Sequence, residues 1–288
     1  MLARRDAIAL LAAAVAVPAR AGDPRTGDTS APRALEGLEA RHGGRLGVAM
    51  LDTGSGRAMA HRGDERFPLC STFKLLAAAC VLSRVDRGED DLARRVTYSR
   101  DDLVPYSPVT ETHAGDGMTL GELCGAAVTL SDNTAGNLML DAVGGPAGLT
   151  AWLRGIGDGV TRLDRREPAL NEARPGDPRD TTSPAAMLGT LRELLTGRAL
   201  SDASQARLAA WLVDCRTGDT RLRAGVPAGW RVGDKTGSGG NNATNDVAAL
   251  WPPGRAPVFV TAYYVGARAG AGERNAVLAE VGRLAAAL

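Results

Sequence analysis

The chain has 288 residues, 44% of them hydrophobic and 4% aromatic, and its 34 basic and 33 acidic residues leave a net charge of +1. This length suits one large domain or two smaller ones around a common core. The near-zero charge argues against a nucleic-acid partner, which needs a basic face, and the apolar content excludes disorder. No long uncharged apolar run follows the N-terminus, so we expect a compact soluble protein without a stable membrane anchor.

The N-terminal residues have the pattern of an export signal. Arg4 and Arg5 precede an uncharged apolar stretch, 7–17, and an A-x-A sequence ends at Ala21. The stretch is too short to span a bilayer but suits the core of a signal peptide. We predict that residues 1–21 are removed after Ala21 and that the protein is periplasmic or secreted, with the choice between Sec and twin-arginine export open. Residues 22–32 are predicted to form a loose lead-in.

Predicted strands lie near the two ends of the chain, and predicted helices fill the middle. The strand-like runs are 46–51, 57–61, 230–234, 246–251 and 258–265. The helix-like runs are 72–84, 120–129, 134–143, 184–196, 201–213 and 270–288. This order predicts an α/β fold, a three-layer αβα sandwich with an antiparallel sheet of about five strands and an inserted all-helical domain. The predicted α/β domain is discontinuous, 29–68 and 215–288, around an all-α domain, 69–214.

The cysteines and histidines do not form a metal-binding pattern. The four cysteines include no C-x-x-C pair, and the three histidines lie far apart, so a zinc site is not expected. The chain also lacks a G-x-S-x-G elbow, a Walker A loop and a G-x-G-x-x-G motif, which argues against several hydrolase and nucleotide-binding classes. We predict neither a metal nor a cofactor.

Lysine is rare in this chain, because only Lys74 and Lys235 among the 34 basic residues are lysines. A bias toward GC-rich codons explains the excess of arginine but not the two retained lysines. Unlike arginine, lysine can be tuned to act as a base or as a compact point charge, so both are candidates for chemistry. Ser71 lies three residues before Lys74, so on a helix the amine can reach the hydroxyl and activate it as a nucleophile. The alternative is a solvated helix start capped by serine.

The second lysine opens the sequence Lys-Thr-Gly-Ser at the end of a predicted strand. Gly237 permits a ligand to approach the backbone closely, and Thr236 and Ser238 add hydrogen-bond donors beside Lys235. The alternative is an ordinary Gly-rich hairpin turn.

Two further motifs offer polar side chains on short turns. Ser131-Asp132-Asn133 precedes a predicted helix and presents a hydroxyl and an amide, although an ordinary N-cap cluster has the same composition. Glu167 and Asn171 lie in the turn-rich stretch 162–180, which we predict to be an Ω-loop. If that segment forms a helical turn, the carboxylate and the amide share a face and can hold one water. The alternative is an exposed loop.

Taken together, the four motifs resemble the class A serine β-lactamases, for which this set of motifs is an established signature. The resemblance extends over nearly the whole mature chain and includes 104–109, 177–182 and the final sheet and helix. It implies an enzyme that hydrolyses penicillins and cephalosporins, takes small-molecule β-lactams as substrates and inhibitors, and gives antibiotic resistance. For the oligomeric state we take a monomer as the default expectation.

The resemblance also implies catalytic roles. Ser71 would be acylated by the β-lactam carbonyl, with the backbone N–H groups of Ser71 and Ser238 as the oxyanion hole. Ser131 would pass a proton to the departing ring nitrogen. Glu167 and Asn171 would position and activate the water that cleaves the acyl-enzyme.

Substrate-binding roles follow from the same resemblance. Lys235, Thr236 and Ser238 would hold the substrate carboxylate next to Gly237. Asn133 would bind the acylamide side chain, and Tyr106 would form a wall of the cleft.

Two residues are candidates for the base that deprotonates Ser71. Lys74 would need its pKa lowered by about 3.4 units to become a base at pH 7; burial and Lys235 favour this change and an ionised Glu167 opposes it. Glu167 is a carboxylate at neutral pH without any shift but is expected to act through water. We favour Glu167.

Two positions depart from common members of the family. Many relatives hold the substrate carboxylate with an arginine where this chain has Thr244, and we assign that role to Arg221, which another branch uses. Cys70 precedes the nucleophile as in carbapenem-hydrolysing relatives, but the position of its partner cysteine is Gly239 here. This difference argues against efficient carbapenem hydrolysis.

Two other protein classes share part of the pattern. A penicillin-binding DD-peptidase has Ser-x-x-Lys, Ser-x-Asn and Lys-Thr-Gly, but Glu167 and Asn171 argue against it. A non-enzymatic β-lactam sensor would use acylation as its signal and normally needs a membrane link.

Overall fold

The computed structural model describes residues 30–288. Within them, eight α-helices are α1 Ser30–His42, α2 Phe73–Asp86, α3 Leu120–Thr129, α4 Asn133–Ala142, α5 Gly145–Gly155, α6 Pro184–Thr196, α7 Asp202–Val213 and α8 Ala271–Ala286. The strands are β1 Arg45–Asp52, β2 Ala58–His61, β3 Phe67–Pro68, β4 Arg95–Val96, β5 Met118–Thr119, β6 Thr181–Thr182, β7 Arg231–Ser238, β8 Thr244–Trp251 and β9 Val258–Val265.

Five of the strands form one antiparallel sheet in the order β2-β1-β9-β8-β7. Strand β9 is central, pairing with β1 through Val48↔Ala262 and with β8 through Val247↔Thr261. Short turns connect β7, β8 and β9, as the hairpin spacing predicts. The sheet therefore joins the first strands of the chain to its last three, which confirms the predicted α/β fold, and β7 forms an edge next to the helices.

The sheet is covered on both faces, and the side-chain alternation of β9 shows how. Val258, Val260 and Tyr264 pack into a core shared with α1 and α8. Phe259 and Tyr263 point the other way, into a core shared with helices α2 to α7. Because successive strand residues face opposite sides, a strand buried on both faces is apolar along most of its length. This arrangement gives the predicted three layers, while the domain boundaries at residues 68 and 214 stay a prediction.

Three of the longer segments differ from the sequence prediction. Helix α1 begins at Ser30, inside the predicted lead-in 22–32, because a proline is compatible with a first helical turn. Helix α5 was not predicted, since its sequence is rich in glycine, which disfavours helix. Strand β7 extends to Ser238, so the Lys-Thr-Gly motif lies within the strand rather than in a turn.

The predicted signal peptide, residues 1–21, lies outside the described residues. Among the helices that are described, none combines the length and the apolar character needed to cross a bilayer. The cysteines Cys70, Cys80, Cys124 and Cys215 are buried free thiols.

The packing of α8 against the sheet gives a prediction for stability. Leu278 is fully buried in the core between α8 and the sheet, whereas Leu284 on the same helix is only half-buried. We expect Leu278→Ala to lower the free energy of unfolding by about 2–5 kcal/mol, because it removes buried methyl groups and leaves a cavity. Leu284→Ala is the matched control and should lose clearly less. Urea unfolding of both variants measures the difference, and equal losses would contradict this view of the core.

Candidate active site

Ser71 lies at the junction between a short strand and α2, the first helix of the layer formed by α2 to α7. It belongs to a 3-10 turn, Cys70–Thr72, that continues directly into α2. Cys70 has φ +45°, a left-handed conformation that is strained for a non-glycine residue. Ser71 Oγ accepts a hydrogen bond from Lys74 Nζ at 3.0 Å and donates one to Glu167 Oε1 at 3.3 Å. The i, i+3 spacing therefore places the amine on the hydroxyl, as predicted.

Lys74 is fully buried and surrounded by oxygen atoms. Its Nζ donates to the carbonyl oxygen of Ser131 at 2.7 Å and to Asn133 Oδ1 at 2.6 Å. It also forms an ion pair with Glu167 Oε1 at 3.1 Å. Burial lowers the pKa of Lys74 to about 8, with Glu167 opposing this shift and Lys235 adding to it. These are the opposing influences that the sequence predicts.

The second lysine, Lys235, reaches Ser131 from the sheet. Lys235 on β7 is fully buried, and burial lowers its pKa. Its Nζ donates to Ser131 Oγ at 3.1 Å and to the carbonyl oxygen of Thr236 at 3.0 Å. Lys74 Nζ lies 3.4 Å from the same hydroxyl oxygen. The two lysines of the chain therefore converge on one hydroxyl group between the sheet and the helices.

The turn before α4 is held by Asp132, a residue for which no separate role was predicted. Asp132 Oδ1 accepts from the backbone N–H of Ala135 at 2.9 Å and caps the helix. Its Oδ2 accepts from the backbone N–H groups of Val109 and Thr110 at 2.9 and 3.0 Å. A buried carboxylate thus ties the segment that carries Tyr106 to the segment that carries Ser131. Tyr106 is 61% exposed at the mouth of the cleft.

Glu167 is supplied by the predicted Ω-loop and is held at its backbone and its side chain. Asn137 Nδ2 donates to the Glu167 carbonyl oxygen at 3.0 Å, and Asn137 Oδ1 accepts from the Glu167 N–H at 2.9 Å. The Glu167–Pro168 bond is cis. Asn171 Nδ2 donates to Glu167 Oε2 at 2.5 Å from a 3-10 turn, Ala169–Glu172, so the two side chains share a face as predicted.

The carboxylate of Glu167 faces the nucleophile, with Oε1 3.3 Å from Ser71 Oγ. The neck of the loop is closed by an ion pair between Arg165 Nε and Asp180 Oδ2 at 2.6 Å. Asp180 is buried and also accepts from the N–H of Asp164 at 2.7 Å.

Arg221 lies at the far end of the cleft, against the end of β7. Its guanidinium donates to the carbonyl oxygens of Gly237 and Asn245 at 2.9 and 2.7 Å and to Ser238 Oγ at 2.7 Å. Asn275 Oδ1 accepts from Arg221 Nε at 3.1 Å. All four acceptors are neutral, so the positive charge is fixed in place without a carboxylate partner among these contacts. Burial lowers the pKa of Arg221.

Thr244 lies at the start of β8. Its hydroxyl accepts a hydrogen bond from Arg274 Nε at 3.0 Å, and the residue is buried.

Thr236 Oγ1 lies 2.5 Å from the hydroxyl of Thr217. Thr217, Asn137 and Asn275 were missed by the sequence analysis because each lies outside the four motifs.

The predicted side chains meet in one cleft of about 400 Å³. Its lining residues are Ser71, Tyr106, Ser131, Asn133, Asn171, Thr217, Arg221, Thr236, Gly237 and Ser238. Lys74, Glu167 and Lys235 are buried directly behind this surface. Burial raises the pKa of the Cys70 thiol to about 12, so this neighbour of the nucleophile stays protonated. Within residues 30–288, no group of three or more His, Cys, Asp or Glu side chains could hold a metal ion.

Comparisons with known proteins agree with this geometry. A model of the β-lactamase enzyme family matches residues 31–288. The structure of an ancestral class A β-lactamase (GNCA) is 66% identical over 88% of this chain and 98% of that chain, with a TM-score of 0.87. The class A β-lactamase of the last common ancestor of Gram-negative bacteria (GNCA4) is 63% identical over 89% and 98%, with a TM-score of 0.88. A class A β-lactamase candidate, PenP from Rhodopseudomonas palustris, is 59% identical over 89% and 98%, with a TM-score of 0.88. The chain therefore belongs to the class A β-lactamases, a family of β-lactam hydrolases.

Proposed function

We propose that this chain hydrolyses the β-lactam amide of penicillins and cephalosporins through an ester on Ser71, which Glu167 then helps water to cleave. One observation carries the proposal. Ser71 Oγ lies 3.0 Å from Lys74 Nζ and 3.3 Å from Glu167 Oε1, and those two atoms are 3.1 Å apart. A hydroxyl nucleophile thus has both a base and a cation within hydrogen-bond reach.

In the acylation step, Ser71 Oγ attacks the lactam carbonyl carbon and gives its proton to a base. The hydroxyl donates to Glu167 Oε1, whereas Lys74, with a pKa of about 8, is mostly protonated at neutral pH. We therefore assign the base to Glu167, and the Lys74 ammonium stabilises the negative charge on the attacking oxygen. The backbone N–H groups of Ser71 and Ser238 receive the negative charge that develops on the carbonyl oxygen.

The lactam C–N bond then breaks, and the ring nitrogen takes a proton from Ser131. Lys74 Nζ and Lys235 Nζ lie 3.4 and 3.1 Å from Ser131 Oγ, so Lys74 can replace that proton. Lys74 then takes the proton that Glu167 accepted from Ser71, across the 3.1 Å between Nζ and Oε1, and Glu167 is again a carboxylate for the next step. The products of this step are an acyl ester on Ser71 and the amine of the opened ring, still joined in one molecule. The two lysines keep Ser131 next to positive charge throughout.

In the deacylation step, Glu167 takes a proton from a water whose oxygen attacks the ester carbonyl, and Ser71 Oγ leaves with a proton. Asn171 Oδ1 supports a water site here, because it is buried and has no hydrogen-bond partner within residues 30–288. A water between Glu167 and Asn171 would satisfy this oxygen. The hydrogen bond from Asn171 Nδ2 keeps the carboxylate in position.

The substrate carboxylate is proposed to bind at the end of β7. Arg221 presents a guanidinium whose contacts there are all neutral acceptors, and Thr236 and Ser238 line the same wall. Lys235 supplies a second positive charge from behind the strand. Asn133 is proposed to bind the acylamide group, although its Nδ2 already donates to the Pro105 carbonyl oxygen at 2.7 Å.

The proposal includes export and antibiotic resistance. The segment 1–21 has the charge and apolar pattern of a signal peptide, so we place the mature enzyme in the periplasm or outside the cell. Hydrolysis in that compartment removes a β-lactam before it reaches a target in the cell envelope.

Removing the carboxylate of Glu167 should separate the two steps. We expect the mature protein to turn over a chromogenic cephalosporin many times, and Glu167→Ala to react once and stop as a stable ester. Acylation survives because Glu167 raises the pKa of Lys74; without it that pKa falls further, and the neutral amine can accept the proton of Ser71. Intact-protein mass spectrometry detects the added mass.

The control for this variant is Glu172→Ala. Glu172 lies on the same loop and is exposed, paired with Arg165 and Arg174, so its removal should leave turnover unchanged. A single burst from the unaltered protein would instead support a DD-peptidase or a sensor, and an unmodified Glu167→Ala protein would contradict the Ser71 ester.

The pKa of Lys74 gives a prediction with a definite sign. If Glu167 is the base and the Lys74 ammonium assists, deprotonation of Lys74 removes that assistance, so kcat/KM should fall as the pH rises through about 8. If neutral Lys74 were the base, kcat/KM would rise through the same range. Initial rates with a penicillin between pH 6 and 9.5 decide between the two bases.

The variant Lys74→Arg should lose most acylation, because the longer planar guanidinium of arginine cannot replace the ammonium.

The carboxylate anchor can be tested with a pair of substrates. We expect Arg221→Gln to raise KM for a penicillin about 10- to 100-fold, since a charged hydrogen bond contributes about 1.5–3 kcal/mol. The methyl ester of the same penicillin lacks the negative charge and should lose far less. Equal losses for acid and ester would show that Arg221 does not bind the carboxylate.

A further inference from the structure

Asn245 on β8 is a fully buried polar side chain that no motif includes. Its Nδ2 donates to the carbonyl oxygens of Pro68 and Leu69 at 2.8 and 3.3 Å. Because those two groups can only accept, the amide nitrogen must face them. Its Oδ1 is buried without a hydrogen-bond partner within residues 30–288. The fold thus tolerates an unsatisfied oxygen in order to keep this donor in place.

The two carbonyl groups that Asn245 holds come directly before the nucleophile. Cys70 follows them with φ +45°, and Ser71 comes next. A non-glycine residue keeps such a conformation only where its surroundings fix it on several sides. The segment before Cys70 is held by two sets of hydrogen bonds. Asn245 donates to its carbonyl groups, and its Leu69 N–H donates to the Asp180 carbonyl oxygen at 2.8 Å.

The same residue also contacts the strand that carries Ser238. Gly237 is paired with Asn245 across β7 and β8, and a Cβ at Gly237 would lie 2.9 Å from the Leu69 carbonyl oxygen and 3.3 Å from Asn245 Nδ2. The strand end, the amide and the segment before Ser71 are therefore packed without space between them. Asn245 lies where the two segments meet.

We propose that Asn245 is a positioning residue that sets the spacing between the backbone N–H groups of Ser71 and Ser238. It acts by holding the carbonyl groups before Ser71 against the end of β7. The inference rests on the proposed function, in which these two N–H groups form the oxyanion hole. An oxyanion hole requires its donors to be placed correctly before the reaction, so a small shift reduces the polarisation of the bound carbonyl.

The test uses the trapped ester in the Glu167→Ala background. A penicillin with a ¹³C-labelled lactam carbonyl is added, and the ester carbonyl stretch is measured by isotope-edited infrared spectroscopy. We expect Asn245→Ala in this background to move the stretch to higher wavenumber, because a weaker oxyanion hole polarises the carbonyl less. Acylation should also slow by about 10- to 100-fold, the range that a misplaced donor produces.

Thr261→Val in the same background is the matched control. Thr261 is also fully buried, lies on the same face of the sheet as Asn245 and donates to a backbone carbonyl, that of Pro184, at 2.9 Å. Its loss should lower the melting temperature but leave the carbonyl stretch and the acylation rate unchanged. If Asn245→Ala also changes only the melting temperature, its role is purely structural and the inference is wrong.

Asn245→Asp provides the test if the alanine variant does not fold. A protonated Asp carries one O–H donor and an ionised Asp carries none, so the stretch should approach that of the parent at low pH and rise as the pH increases. A stretch that does not change with pH would overturn the inference. Absence of any ester in the Glu167→Ala parent would instead contradict the proposed function, so the two failures are distinguishable.

Discussion

The site depends on a buried contact between Lys74 and Glu167, whose Nζ and Oε1 atoms lie 3.1 Å apart and whose side chains are fully buried. Lys74 comes from α2 and Glu167 from the Ω-loop, so this contact fixes the loop against the nucleophile. Two opposite charges taken out of water are tolerated only when their remaining hydrogen bonds are satisfied. Ser131, Asn133 and Asn171 supply those bonds. The same groups that stabilise the ion pair therefore form the reactive surface.

Part of the backbone strain of the fold lies around this contact. Cys70, Tyr106, Ser131 and Asp180 all have positive φ angles without being glycine, a conformation that costs about 1–3 kcal/mol each. Each is held by a hydrogen bond to one of its own groups or to an adjacent residue. Asn133 donates from its N–H to the Tyr106 carbonyl oxygen at 3.0 Å, and Lys74 donates to that of Ser131 at 2.7 Å. The rest of the fold offsets this strain, and in return the reacting groups stay in one arrangement.

The sequence predicted the sheet, most helices and the four motifs, because these leave strong local signals. Strand β9 and helices α3 and α6 have the predicted bounds, since each is a regular run between clear turn residues. Helices α1 and α5 were not predicted, because they contain proline and glycine, which are typical of loops. In the site, rare residue types marked the reacting groups, whereas Asn137 and Asn275 act through contacts 30 and 54 residues away. Only the folded chain brings such amides to their partners, so no local pattern identifies them.

The burial of both lysines has a practical consequence. Because Lys74 and Lys235 are the sole lysines and each has 0% of its surface exposed, the folded chain presents no lysine amine to solvent. A reagent that modifies amines, or a protease that cleaves after lysine, can act on these two positions only when the interface between sheet and helices opens. The rate of labelling at each lysine would thus report how often this enzyme opens at its centre, separately from any assay with an antibiotic.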